Sequence, residues 1–182
     1  MSKKEIQTEE RRKIKRIVCL FTIFGVIQFL ILTFLAMFAY YPVIYSFTNN
    51  YFSDLGKTVI WTLTFDFRPI FVLNPISSNL WIITVIVTAI SFVFFWIIFR
   101  TLYKETKIMT KISTLGTILG VISTAFFIGV AIFPVDIYGL AHLISGYGFF
   151  FIFAICIILY TIAIFLNEEL FNLEIWKFRK KE

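Results

Sequence analysis

Apolar residues along this chain fall into four long runs, at 17–40, 80–99, 112–133 and 140–166. A helix that crosses the hydrocarbon core of a bilayer needs about 20 consecutive apolar residues. Each run meets or nearly meets that length, and none of them contains Asp, Glu, Lys or Arg. The pattern therefore predicts an all-α membrane protein, built as a bundle of four transmembrane helices with a long first loop at 41–79.

The long loop contains a second pattern, in which two sets of residues alternate. The alternating residues are Val59, Trp61, Leu63, Phe65 and Phe67 in one set and Ile60, Thr62, Thr64, Asp66 and Arg68 in the other. Period-two alternation of β-branched and aromatic residues predicts a short β-strand with one wet face, and an interfacial helix is the alternative. Since a lone strand is unstable, it needs a partner or the membrane surface. After it, Asn74-Pro75 and Ser77-Ser78-Asn79 indicate a turn and the N-cap of the second span.

Basic residues are concentrated on one side of the predicted membrane. Of the 17 Lys and Arg residues, only Lys57 and Arg68 lie outside the segments 1–16, 100–111 and 167–182. Because basic loops stay in the cytoplasm, the sequence predicts a multi-pass protein of the cell membrane with both termini cytoplasmic. This topology accounts for the net charge of +6 without a nucleic-acid partner. The predicted partners are membrane lipids, another membrane protein or a second copy of the chain.

Small residues in the third span predict close packing of helices. Gly116 and Gly120 lie four residues apart, a spacing that lets two helix backbones approach each other. The sequence leaves open whether the neighbouring helix belongs to the same chain or to a second copy. The short connection at 134–139 makes the third and fourth spans antiparallel neighbours.

Polar side chains converge on the predicted outer end of the bundle. His142, the only histidine, lies close in sequence to Asp136, and an ionisable residue at membrane depth indicates a functional site. We take Asp54, Asp136 and His142 as candidate catalytic residues. Candidate binding residues are Ser53, Arg68, Asn74 and Asn79. The structural alternative is that Asp136 caps the fourth helix and that His142 donates a hydrogen bond to a loop carbonyl.

Sequence signatures of enzyme chemistry are sparse. A zinc site built from histidines is not expected, because three protein ligands are typical and the sequence has one histidine. A metal site of Asp54, Asp136 and His142 has no motif spacing behind it. Ser53, His142 and Asp136 supply the residue types of a catalytic triad but lack the Gly-x-Ser-x-Gly turn. No Walker loop, dinucleotide fingerprint, Cys-x-x-Cys or haem motif is present, so no cofactor is predicted.

Three short motifs follow one another along the chain. They are Phe-Ser-Asp-Leu-Gly at 52–56, Asn74 or Asn79, and Phe-Pro-Val-Asp at 133–136 followed by His142. In this order they resemble a prokaryotic polytopic membrane family catalogued as a domain of unknown function (nine-nine-eight), with a distant likeness to DRAM-like membrane proteins. Members of that family often have six spans, whereas four are predicted here. The resemblance implies a shared site on the outer face without naming its chemistry.

The leading functional hypothesis is non-enzymatic binding of a lipid or a membrane partner at the outer leaflet. The binding surface would combine the aromatic loop with Asp54, Asp136 and His142. One alternative is a membrane-embedded hydrolase or transferase that acts on a lipid headgroup. Another is a claudin-like four-span adhesion or structural protein, although the chain lacks the Trp-x-x-Leu-Trp motif and paired loop cysteines of that class.

The predicted topology can be tested by cysteine labelling. In a variant without Cys19 and Cys156, a membrane-impermeant maleimide added to intact cells is expected to label Lys57→Cys and to leave Lys104→Cys unlabelled. Permeabilised cells serve as the control, because both positions should then react. Equal labelling of the two positions in intact cells would contradict the topology.

Overall fold

The computed structural model describes residues 3–102 and 106–166. Within these ranges the chain forms the α-helices α1 (Lys3–Phe38), α2 (Pro75–Phe99), α3 (Lys107–Ile132) and α4 (Gly139–Phe165). All four are long and apolar enough to cross a membrane, α1 over its segment Arg12–Phe38. The predicted four-helix, all-α membrane architecture is confirmed. The predicted basic tail at 167–182 lies outside the described residues.

The helices pack in the order of the sequence. α1 packs on α2, α2 on α3, and α3 on α4, while within the described ranges the backbones of α1 and α4 do not meet. Aromatic side chains bridge the remaining distance between α2 and α4. The Trp96 ring stacks on Tyr160, with ring centroids 5.7 Å apart and an angle of 17° between the planes. Phe92 stacks on Phe153 one turn further along. The four helix backbones therefore lie in a row, and aromatic side chains fill the space between α2 and α4.

The small residues of α3 pack within the chain. A Cβ atom on Gly116 would lie 2.9 Å from the Tyr160 ring, and one on Gly120 would lie 2.5 Å from the Trp96 ring. Both distances are shorter than van der Waals contact, so only glycine lets these large rings lie against α3. Of the two alternatives that the sequence left open, the structure contains the intramolecular one.

A polar contact joins α1 to α2 inside the membrane. The side-chain amide of Gln28 donates to the hydroxyl of Thr88 over 2.7 Å and to the carbonyl of Thr84 over 3.1 Å. A polar side chain in a membrane-spanning helix commonly hydrogen-bonds to a neighbouring helix, and the same amide also donates to the Gly25 carbonyl of its own helix over 3.1 Å. The contact fixes the register of the two helices.

The loop between α1 and α2 contains a β-hairpin. Strands β1 (Val59–Leu63) and β2 (Pro69–Leu73) pair antiparallel, with Trp61 opposite Phe71. The predicted strand is therefore present, and its partner is a neighbouring segment of the same loop. The prediction extended the strand too far, because the chain turns after Leu63.

The hairpin turn explains that difference. The backbone N–H of Phe67 donates to the carbonyl of Thr64 over 3.0 Å, and Phe67 adopts a left-handed conformation with φ of 58°. A turn followed by a left-handed residue is a common way to connect two strands. The alternation of apolar and polar residues continues through this turn, which is why the sequence pattern hid it.

The second helix begins earlier than the sequence pattern indicated. α2 has its N-cap at Asn74 and Pro75 in its first turn, a position that suits proline because its missing N–H would have no partner there. The N-cap is thus at the first of the positions that the sequence indicated, and Ser77, Ser78 and Asn79 are not the cap. Those residues lie within the helix, which leaves the two serine hydroxyls available for the loop above them.

Replacement of Gly120 tests the packing of α3. Gly120→Ala is expected to lower the melting temperature in detergent, because the new methyl group would displace the buried Trp96 ring, and such overpacking costs about 1–3 kcal/mol. Gly146→Ala is the matched control, since no atom lies within 4 Å of its Cβ position. Equal melting temperatures of the two variants would contradict this packing.

Candidate functional site

A short 3₁₀ helix at Phe52–Gly56 closes the loop end of the bundle. Leu55 is completely buried, and Gly56 lies so close to Trp81 that an added Cβ would be 2.6 Å from the indole. The helix packs against α1, α2 and α3. We call this 3₁₀ helix the plug, because its contacts with the three helices hold the loop at the end of the bundle.

Side chains from the start of α2 bind the backbone of this plug. The Ser77 hydroxyl donates to the Leu55 carbonyl over 3.1 Å, and the Ser78 hydroxyl donates to the Gly56 carbonyl over 3.2 Å. The Asn74 side-chain amide donates to the carbonyl of Lys57 over 3.0 Å. Three successive carbonyls thus receive a donor from a single helix end.

The candidate Asp54 is buried within the same plug. Its Oδ2 atom accepts the backbone N–H of Tyr51 over 3.1 Å and the Asn50 side-chain amide over 3.4 Å. Its Oδ1 atom forms an ion pair with Lys57 Nζ over 3.1 Å. Both oxygens of this carboxylate are occupied by partners from its own loop, and the charge is balanced locally.

The candidate Asp136 joins the turn between α3 and α4 to the start of the hairpin. Its Oδ2 atom accepts the Thr58 backbone N–H over 3.0 Å, the Thr58 hydroxyl over 2.6 Å and the Val59 backbone N–H over 3.0 Å. The alternative that Asp136 caps the fourth helix is wrong. The N-cap of α4 is Tyr138, which makes no side-chain capping bond.

The candidate His142 is buried in the first turn of α4. Its Nδ1 atom lies 2.8 Å from the Phe133 carbonyl. Because a carbonyl only accepts, Nδ1 carries the proton and donates it. The expected hydrogen bond to a loop carbonyl is therefore confirmed. Among the described residues, His142 and Asp136 form neither a hydrogen bond nor an ion pair with each other.

The four candidate binding residues divide into two groups. Asn74 is buried and holds the loop, as described above. Asn79 and Arg68 are exposed, and Ser53 is partly exposed. In the part of the chain that the structure describes, the side chains of these three make no hydrogen bond or ion pair.

The candidate residues do not assemble into a recognisable catalytic centre. Within the ranges 3–102 and 106–166, no three His, Cys, Asp or Glu side chains are grouped so that they could hold a metal ion. The triad hypothesis needs a carboxylate on the histidine, but Asp136 binds Thr58 and Val59 instead. Asp54, Asp136 and His142 lie at the same end of the bundle and serve three separate contacts.

Two tyrosines near the plug were not among the candidate residues. Tyr40 and Tyr45 are buried and pack edge to face, with ring centroids 5.7 Å apart. Burial, together with the nearby carboxylate of Asp54, raises the pKa of Tyr40 to about 12. Tyr40 therefore stays neutral at physiological pH. The cluster of tyrosines after the first span was the sequence signal that could have located them.

The hairpin presents an uncovered apolar surface. The exposed fractions are 65% for Trp61, 49% for Leu63, 75% for Phe71 and 72% for Leu73. Among the described residues the backbones of β1 and β2 pack against each other and against no helix. Ile60, on the other face, is the buried strand residue. Within β1 the most exposed residues are apolar, whereas Asp66 and Arg68 of the predicted polar set are exposed in the turn.

Comparisons with models of protein families, with curated proteins and with solved structures found no match for this chain. Membership of the prokaryotic membrane family stays a prediction that depends on the short motifs. The contacts within the chain are therefore the basis of the proposed function.

Removal of the Asp136 carboxylate is expected to loosen the base of the hairpin. Asp136→Ala leaves the N–H groups of Thr58 and Val59 without their partner, and a hydrogen bond to a charged group is worth about 1.5–3 kcal/mol. Hydrogen exchange at Val59 should then be faster by about tenfold or more. Asp66→Ala in the exposed hairpin turn is the control, and equal exchange rates in the two variants would disprove the role of Asp136.

Proposed function

We propose that this chain is a multi-pass membrane protein whose loop end binds a lipid or a membrane partner without catalysing a reaction. The observation that carries the proposal is the uncovered apolar face of the hairpin around Trp61 and Phe71. Apolar patches of this kind on a folded protein typically mark an interaction surface. Four helices are long and apolar enough to cross a membrane, which supports a position of this surface next to a bilayer.

The polar residues at the same end support binding over catalysis. An acid–base mechanism requires a histidine or a carboxylate within reach of the substrate. Here the Asp136 carboxylate holds Thr58 and Val59, and Asp54 is neutralised by Lys57. These side chains hold the loop in its conformation, and the exposed apolar surface of the loop lies on the hairpin.

The proposal places the hairpin outside the cell and both termini in the cytoplasm. The contact between Thr58 and Asp136 supports one part of it, because it brings the long loop and the turn between α3 and α4 to one end of the bundle. Of the described residues, the basic ones that precede the first span and those between α2 and α3 lie at the opposite ends of these helices, which favours the cytoplasm for that side.

Site-specific photo-crosslinking tests the binding function. A benzophenone side chain placed at Phe71 in living cells is expected to form adducts with lipid or protein, because this position is 75% exposed on the apolar face. The control is a benzophenone at Asn49, an exposed residue in a turn of the same loop. Adducts no more frequent at position 71 than at position 49 would refute the proposed function.

Turnover separates the binding proposal from the hydrolase alternative. Purified protein is incubated with mixed phospholipids, with and without divalent metal ions, and products are followed by mass spectrometry. No product is expected. A product that disappears in the His142→Asn variant, while the melting temperature is unchanged, would establish an enzyme and overturn the proposal.

A further inference from the structure

The register of the hairpin determines which side chains share its exposed face. Backbone bonds join Thr58 to Asn74 at one end of the ladder and Thr64 to Arg68 at the other. Hydrogen-bonded and non-hydrogen-bonded pairs alternate along antiparallel strands. The intervening pairs Val59–Leu73, Trp61–Phe71 and Leu63–Pro69 are therefore non-hydrogen-bonded pairs on a single face, where side chains of the two strands come closest.

This face, here called the aromatic face, contains no polar side chain. It consists of Val59, Trp61, Leu63, Pro69, Phe71 and Leu73. Within the strands the opposite face consists of Ile60, Thr62, Ile70 and Val72, and Thr64 and Arg68 follow in the turn. Hydroxyl and charged groups are therefore confined to one side of the hairpin, while the aromatic face has none, and this asymmetry suits an element that lies at a boundary between water and hydrocarbon.

The aromatic face continues into a surface that lipid must cover. Leu73 is followed by the N-cap and then by the first turn of α2. Along α2, exposed isoleucines recur at every seventh position, a spacing that keeps them on one side of the helix. They are Ile76, Ile83, Ile90 and Ile97. Leu73 connects this lipid-facing stripe of α2 with the exposed side of β2.

We propose that the aromatic face of the hairpin lies in the outer leaflet of the membrane that the chain itself spans. The inference rests on the proposed function and names its partner as the lipid surface. Trp and other aromatic residues favour the interfacial region of a bilayer. Because the lipid-facing stripe on α2 begins directly after Leu73, the base of the hairpin lies at the end of a membrane-spanning helix, which is the depth of that region.

Backbone chemistry limits how deep the hairpin lies. The N–H and C=O groups of the non-hydrogen-bonded residues, such as Trp61 and Phe71, point away from the partner strand. Those groups need water or headgroup oxygens, because unsatisfied backbone groups in hydrocarbon cost several kcal/mol each. The hairpin therefore lies flat among the headgroups and upper acyl chains, with its edges hydrated and its aromatic face turned toward the hydrocarbon.

Fluorescence quenching measures this depth. The purified full chain is reconstituted in phosphatidylcholine vesicles whose acyl chains carry bromine either near the glycerol or near the chain end. The contribution of Trp61 is the difference between the unmodified protein and Trp61→Phe. Bromine near the glycerol is expected to quench roughly half of that contribution and to quench more than bromine near the chain end, since the interface is the preferred depth.

Charge placed on either face provides the matched comparison. Phe71→Lys puts an ammonium group on the aromatic face and should reduce quenching of Trp61, whereas Ile70→Lys puts the same charge on the opposite face and should leave quenching unchanged. Equal effects of the two variants would overturn the proposal, as they would show that the face makes no difference.

The remaining outcomes identify other occupants of the face. Trp61 emission that is typical of water and unaffected by bromine would show that the hairpin stands clear of the membrane, and would overturn the proposal. Unquenched Trp61 emission that shifts with the ratio of protein to lipid would replace lipid by a second copy of the chain. Either result would leave the proposed function intact if crosslinking at position 71 succeeds, so the two failures can be told apart.

Discussion

The backbone of residues 55–59 sets the shape of the loop end, because side chains must satisfy hydrogen-bonding groups that no regular ladder reaches. The carbonyls of residues 55, 56 and 57 accept from the side chains of Ser77, Ser78 and Asn74. The next two backbone N–H groups donate to one oxygen of Asp136. The bonds to residues 55 and 56 are buried, where a backbone polar group without a partner costs free energy comparable to a lost hydrogen bond, whereas the bonds to Asp136 are exposed. These few side chains therefore keep an irregular segment on top of a membrane bundle.

Residues of the three short sequence motifs make many of these contacts. Leu55 and Gly56 fill the space above the helices, Asn74 and Asp136 hold the loop backbone, and His142 fastens the end of α3 through the Phe133 carbonyl. The motif residues form the junction of three chain segments that are distant in sequence.

Sequence reasoning recovered the membrane helices because each carries its own signal, a run of apolar residues as long as a bilayer is thick. It placed one strand and missed the second, because Pro69–Leu73 contains almost no alternation and begins with proline. At the loop end, sequence reasoning singled out Asp54, Asp136 and His142 but did not predict what they contact. The partner of Asp136 is 78 positions away along the chain, and no local pattern in a single sequence encodes such a pairing. The exposed apolar face was not predicted either, because the burial of Ile60 depends on contacts with the bundle that no local pattern shows.

The polar junction and the aromatic face depend on each other through strand geometry. Successive residues of a strand point to opposite faces, so a shift by one residue reverses the environment of every side chain. Asp136 binds Thr58 and Val59 at the first positions of β1, and this contact fixes the register of the strand relative to the bundle. With the register fixed, Ile60 packs inward and Trp61 is exposed. A one-residue slip would bury Trp61 and turn Thr62 outward. A polar contact thus determines that the apolar face of the hairpin points outward.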